Sequence, residues 1–75
     1  MDRACAEARR LVGAAFREAR LAAGVTQREV HERTGIDIAS LSRIENGRGN
    51  PSLDTLAKMA RAIGRALPDL FAPRS

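Results

Sequence analysis

One cysteine, one histidine and one lysine are all that this chain of 75 residues holds of three chemically versatile side chains. A lone Cys5 cannot close an internal disulfide, which fits a reducing compartment. No basic partner is fixed beside it, so it reads as incidental rather than reactive. His31 and a distant Cys5 have no metal-ligand spacing, and no metal is expected. No apolar run is long enough to span a bilayer. The opening MDRACAEARR lacks the apolar stretch of a secretory signal. There is no nucleophile–base set and no glycine-rich phosphate loop, so the residues point away from an enzyme and imply no cofactor. The length suits one domain, residues 1–75, near the size where a single core is only marginally stable, with no room for a separate effector domain.

What the chain does have is arginine. The net charge is +4, the isoelectric point lies near 11, and twelve of the thirteen basic residues are Arg. That balance attracts polyanions without specifying a fold. Arginine is also the side chain suited to bidentate contact with phosphate or guanine.

The informative stretch runs from Thr26 to Gly47, TQREVHERTGIDIASLSRIENG. Thr26 and Glu29 have the spacing of a capping box. Gly35 stands where a helix stops in the left-handed conformation. Asp37 caps a second helix, and Asn46-Gly47 closes it. Two short helices on a tight turn make a helix–turn–helix, whose second helix can enter a major groove.

Steps of about 100° per residue divide that second helix into faces. Leu41 and Ile44 turn to the core. Ala39, Ser42, Arg43 and Asn46 lie opposite, with Ile38 flanking them. Small side chains and one Arg suit close approach to base edges: Arg43 to guanine, Ser42 to any base, Ile38 and Ala39 to a thymine methyl. The alternative is an ordinary solvated face. Arg48 and Asn50, in the loop that follows, are placed near the DNA backbone.

A first helix is expected from Ala4 to Ala23, with Gly24 as its stop. Val12, Phe16 and Ala19 recur at helical spacing, with Leu11 and Ala15 beside them. Gly13 should weaken this helix by roughly 1 kcal/mol relative to Ala. Arg9, Arg10 and Arg17 read as its solvated side. Ser52 caps a fourth helix in which Leu53, Leu56, Ala57, Ala60 and Ile63 close the core, Gly64 ends it, and Lys58, Arg61 and Arg65 lie outward. Pro68 and Pro73 bracket a short fifth helix.

The residues Thr26-Gln27, Glu29-Val30, Gly35-Ile36, Leu41-Ser42, Ile44-Glu45 and Asn46-Gly47, followed by Asn50-Pro51-Ser52 and Leu56, resemble the Xre/Cro/CI-like transcriptional regulators. The resemblance runs from about Phe16 to Phe71. It implies an all-α, compact five-helix lambda-repressor-like DNA-binding domain with its motif at 26–47. Restriction–modification controller proteins are small members of similar length, and some antitoxins share the domain. The resemblance further implies that Arg20 and Glu45 form a structural ion pair. It also implies that Gln27 binds a DNA phosphate and braces the recognition helix. Thr26, Arg28 and Asn46 join Gln27, Arg48 and Asn50 as expected phosphate contacts. At the position of His31 the family usually has Ala where two helices cross, so the imidazole must lean outward or widen the crossing. In relatives the tail joins two subunits. Residues 65–75 are therefore the expected dimerisation segment, with Leu67, Leu70 or Phe71 at the interface. The implied protein is a cytoplasmic, nucleoid-associated homodimer of bacterial or phage type on a double-stranded DNA operator, with RNA polymerase as a further partner and no membrane. An antitoxin-type module that neutralises a toxin is the alternative.

Overall fold

The computed structural model describes residues 2–72 and is all-α, with four α-helices among the described residues. They are α1 (Arg3–Ala22), α2 (Gln27–Thr34), α3 (Ile38–Glu45) and α4 (Leu53–Ala62). The expected fifth helix is instead a single stretch of 3₁₀ helix, Leu67–Phe71. Its Asp69 amide bonds back to the Ala66 carbonyl, three residues away. Five residues cannot repay the nucleation of an α-helix, and the tighter turn needs fewer fixed dihedrals. Pro73 lies outside the described residues, as does the end of the segment 65–75.

Each α-helix begins at a polar cap whose side chain accepts a free amide: Asp2, Thr26, Asp37 and Ser52. Arg33 and Arg61 stand in the last turns of α2 and α4, where cations offset the negative helix ends. Arg33 Nη1 also donates to the Ala62 carbonyl at 2.7 Å, tying the C-terminal end of α2 to that of α4. No helix among the described residues is long and apolar enough to cross a membrane.

The core gathers where the four helices meet. Phe16, Val30, Leu41 and Met59 are its fully buried large side chains, joined by Ala19, Ile44, Leu56, Ala60 and Ile63. α1 packs on α3, α2 packs on α3 and α4, and the 3₁₀ segment closes over α4 and α1. Two residues expected to close the core lie outside it, as does Leu11. Leu11 is 63% and Leu53 74% exposed, and Ala57 is exposed too. The buried stripe of α4 and its cap is Leu56, Met59, Ala60 and Ile63, at three-and-four spacing, while Leu53, at the first position of the helix, and Ala57 border it and stay exposed. Met59, absent from the expected set, fills the centre.

Gly13 also differs from expectation. It is buried at the crossing of α1 over the end of α3. A Cβ there would overlap the Ile44 carbonyl oxygen and sit 3.0 Å from that of Glu45. The residue that weakens α1 by propensity is what allows the two helices to touch.

Candidate nucleic-acid interface

The turn between α2 and α3 is held by a run of local hydrogen bonds. Thr26 Oγ1 accepts from the Glu29 amide at 3.1 Å, and Glu29 Oε1 accepts from the Thr26 amide at 3.0 Å, completing the capping box. α2 ends on Gly35, with φ +79°, whose amide donates to the His31 carbonyl at 2.7 Å. Thr34 Oγ1 donates to the Val30 carbonyl at 2.7 Å and accepts from the Ile36 amide at 3.1 Å. The His31 ring reaches across the turn, its Nδ1 lying 2.8 Å from the Ile36 carbonyl oxygen. A carbonyl only accepts, so Nδ1 carries the proton. The half-buried imidazole thus leans onto the turn and fastens it. Asp37 Oδ1 then accepts from the Ser40 amide at 3.1 Å and starts α3.

Two carboxylates hold these helix starts. Hydrogen bonds from the backbone and then the side chain of Thr26 pull the Glu29 carboxyl below its ordinary 4.5, with Arg33 adding a smaller pull. The side chain and then the backbone of Ser40 pull Asp37 below its ordinary 3.8, with Arg43 and His31 contributing less. A depressed carboxyl stabilises the fold above its unfolded pKa, and that contribution is lost as pH falls through the lower folded value. Unfolding free energy should therefore be flat from neutral pH down to about 5 and fall below about 4. Asp37→Asn and Glu29→Gln should each flatten that acid limb in denaturant titrations. An unchanged limb in both variants would show that the caps do not supply it.

The far end of α3 is clamped from below. Glu45 is buried, and Arg20 takes both its oxygens, Nε to Oε2 at 2.7 Å and Nη2 to Oε1 at 3.0 Å. Arg20 Nη1 also donates to the Val25 carbonyl at 2.9 Å. Gln27 Nε2 donates to Glu45 Oε1 at 3.3 Å, so one of its two amide protons points inward. α1, the start of α2 and the end of α3 meet at this one carboxylate.

With Leu41, Ile44 and Glu45 buried, α3 presents Ala39, Arg43 and Asn46 outward, and Ile38 and Ser42 half-covered beside them. Asn46 Nδ2 donates to the Ser42 carbonyl at 2.8 Å and lies 3.5 Å from Ser42 Oγ. A shallow concavity runs along each flank of this face. Gln27 and Asn46 line one, together with Arg17. Arg43, Arg48 and Asn50 line the other, beside Ser40 and Thr55. The Arg48 and Gly49 amides both donate to the Arg43 carbonyl, at 2.8 and 3.2 Å, which folds that loop back against α3. Thr26 and Arg28 are exposed at the start of α2, the Thr26 hydroxyl being engaged in its cap. The structure thus brings Gln27 and Asn46 to one side of α3, and Arg43, Arg48 and Asn50 to the other. Leu67 and Leu70 pack on the core, whereas Phe71 is 51% exposed. Arg17, taken from sequence as part of a solvated side, stands in the first concavity. The signal that could have placed it is its offset of three residues from Arg20, which sets both on one side of α1.

A helix–turn–helix family profile matches residues 16–70. The HTH-type transcriptional regulator y4dJ of Sinorhizobium fredii is 42% identical over 65 residues, covering 87% of this chain and 84% of its own length. The transcriptional regulator ClgR of Mycobacterium tuberculosis is 38% identical over 55 residues, 73% of this chain and 49% of the relative, so the chain spans about half of that protein. Among solved structures, the clp gene regulator ClgR from Corynebacterium glutamicum superposes with a TM-score of 0.79 at 37% identity, covering 83% of this chain and 80% of the other. The hypothetical transcription factor NHTF from Neisseria gives 0.76 at 32% identity, covering 87% and 75%.

Proposed function

The chain belongs to the Xre/Cro-like helix–turn–helix family of transcriptional regulators, and from that premise we propose that it binds a partly palindromic operator as a two-fold dimer. α3 lies in the major groove. Arg43 and Ser42 hydrogen-bond to base edges, with Ala39 and Ile38 against a thymine methyl. Gln27, Asn46, Thr26 and Arg28 hold one phosphate strand, and Arg48 and Asn50 the other. Helix starts assist such contacts, since their amides and dipole favour an anion. The dimer sets two copies of α3 about 34 Å apart, one helical turn of DNA. Phe71, the most exposed of the three apolar tail residues, is its central contact. Bound over or beside a promoter, such a dimer excludes or recruits polymerase.

One observation supports this reading above the rest: the outward face of α3 carries short side chains and one Arg, and lies between two concavities lined by arginine and amide side chains that can donate to phosphate. Selection of bound sequences from random duplex DNA tests it. The expected outcome is a two-fold symmetric pool with half-sites one helical turn apart. Arg43→Ala should weaken the selected site by about 1–3 kcal/mol and relax preference at one base position per half-site. Uniform weakening on every sequence would make Arg43 a phosphate contact, and an unenriched pool would end the base-reading proposal.

A further inference from the structure

Glu45 has more positive charge around it than it requires. Arg20 already takes both of its oxygens, and Gln27 adds a third bond. Arg17 stands at the outer limit of an ion pair, its Nε 3.9 Å from Glu45 Oε1, with its side chain 59% exposed. A pair so long and so open to water adds little stability. The contact does orient the side chain. With Nε turned toward Glu45, the two Nη groups remain as a planar fork of donors. Arg17 lines a concavity with Gln27 and Asn46, beside the C-terminal end of α3. Seven residues earlier on the same face of α1, the stem of Arg10 lies against Gly47, just past that helix end. α1 therefore runs along the edge of the DNA-facing surface instead of lying behind it.

We infer that α1, through Arg17, grips a backbone phosphate at the edge of the major groove where α3 ends, which extends the footprint beyond the helix–turn–helix itself. The inference rests on the reading that α3 faces DNA. A phosphate oxygen is a better acceptor for the fork than a carboxylate already saturated by Arg20. Glu18 lines the same concavity, so the site is not a diffuse basic patch. The local guanidinium should matter there more than the net charge of the domain.

The experiment compares wild type, R17Q, R17K and R61Q on a selected operator duplex and on a scrambled one, between 50 and 200 mM salt. Arg61, exposed in the last turn of α4, provides a matched loss of one charge elsewhere. One phosphate contact contributes about 0.9 to the slope of log affinity against log salt, so over this fourfold range wild type should lose about 3.5-fold more affinity than R17Q. R17Q should weaken both duplexes by the same factor, R17K should keep the wild-type slope, and R61Q should keep it too. Equal slopes for R17Q and wild type would overturn the inference. So would matching effects of R61Q and R17Q, which would reduce Arg17 to net charge. A lower melting temperature for R17Q with an unaltered slope would also overturn it, by making Arg17 a brace for Glu45. If wild type does not prefer the selected duplex, it is the base-reading proposal that fails, and the slope on scrambled DNA still decides the role of Arg17.

Discussion

Glu45→Ala is expected to remove a large part of the stability of the domain. The substitution removes the acceptor of Arg20 Nε and Nη2 and of Gln27 Nε2 together. What remains is an arginine only 7% exposed, its guanidinium bonded to a single carbonyl, that of Val25. Stripping one member from a buried ion pair costs about 3–5 kcal/mol, because the survivor keeps its desolvation penalty. A domain of this length has a total stability of about 4–11 kcal/mol, so the loss removes roughly a quarter of it or more. Glu45→Gln should lose less, since an amide oxygen still accepts one bond. Replacing Arg20 and Glu45 together by apolar residues of similar volume should recover much of the loss, because no buried charge is then orphaned. Denaturant unfolding without DNA measures all four proteins. A loss below about 1 kcal/mol for Glu45→Ala would mean that water reaches Arg20 freely and that the clamp is not a clamp.

Gly13→Ala separates two readings of one residue. By helix propensity alone, alanine should stabilise α1 by about 1 kcal/mol. The structure predicts the opposite sign. The added methyl would meet the Ile44 carbonyl oxygen and the Glu45 carbonyl carbon, 3.1 Å away in the second case. Both are backbone atoms at the end of a helix and cannot swing aside as a side-chain tip can. α1 must therefore lift from α3, which strains the packing of Phe16 and the reach of Arg20. Overpacking of this kind costs typically about 1–3 kcal/mol, and the net effect should fall in that range as a loss. Since α1 positions the clamp, operator affinity should also drop by more than the unfolded fraction explains. A melting temperature equal to or above wild type would show that the crossing has slack.

These two residues mark the limit of what could be read without coordinates. Features whose partners lie within four residues were legible: the Thr26–Glu29 box, the stop at Gly35, the caps Asp37 and Ser52, and the sidedness of α3. Each is decided by local geometry and appears in the structure at the same residue. Features whose partners are distant were not legible from local spacing; the Arg20–Glu45 pair and the Gln27 brace were expected through the family resemblance alone, and the structure shows both. Gly13 looks like a defect until Ile44, thirty-one positions on, is placed above it. Leu53 shares the stripe of Leu56 and Ala60 in sequence, but the neighbouring helices decide how much of a stripe is covered, and they left Leu53 out and took in Met59. Arg17 is one more surface arginine until Gln27 and Asn46 are brought beside it. The last segment failed for a different reason, because five residues hold too few backbone bonds to tell an α-turn from a 3₁₀ turn.

The turn-spanning imidazole of His31 and the buried carboxylate of Glu45 pin α3 at opposite ends, and neither belongs to the set proposed to face the bases, Ala39, Ser42 and Arg43. Mounting and message are thus written in separate letters. Recoding those three should redirect the protein to a new address while its melting curve stays where it was, which is how one small scaffold can diversify into many regulators without learning to fold again.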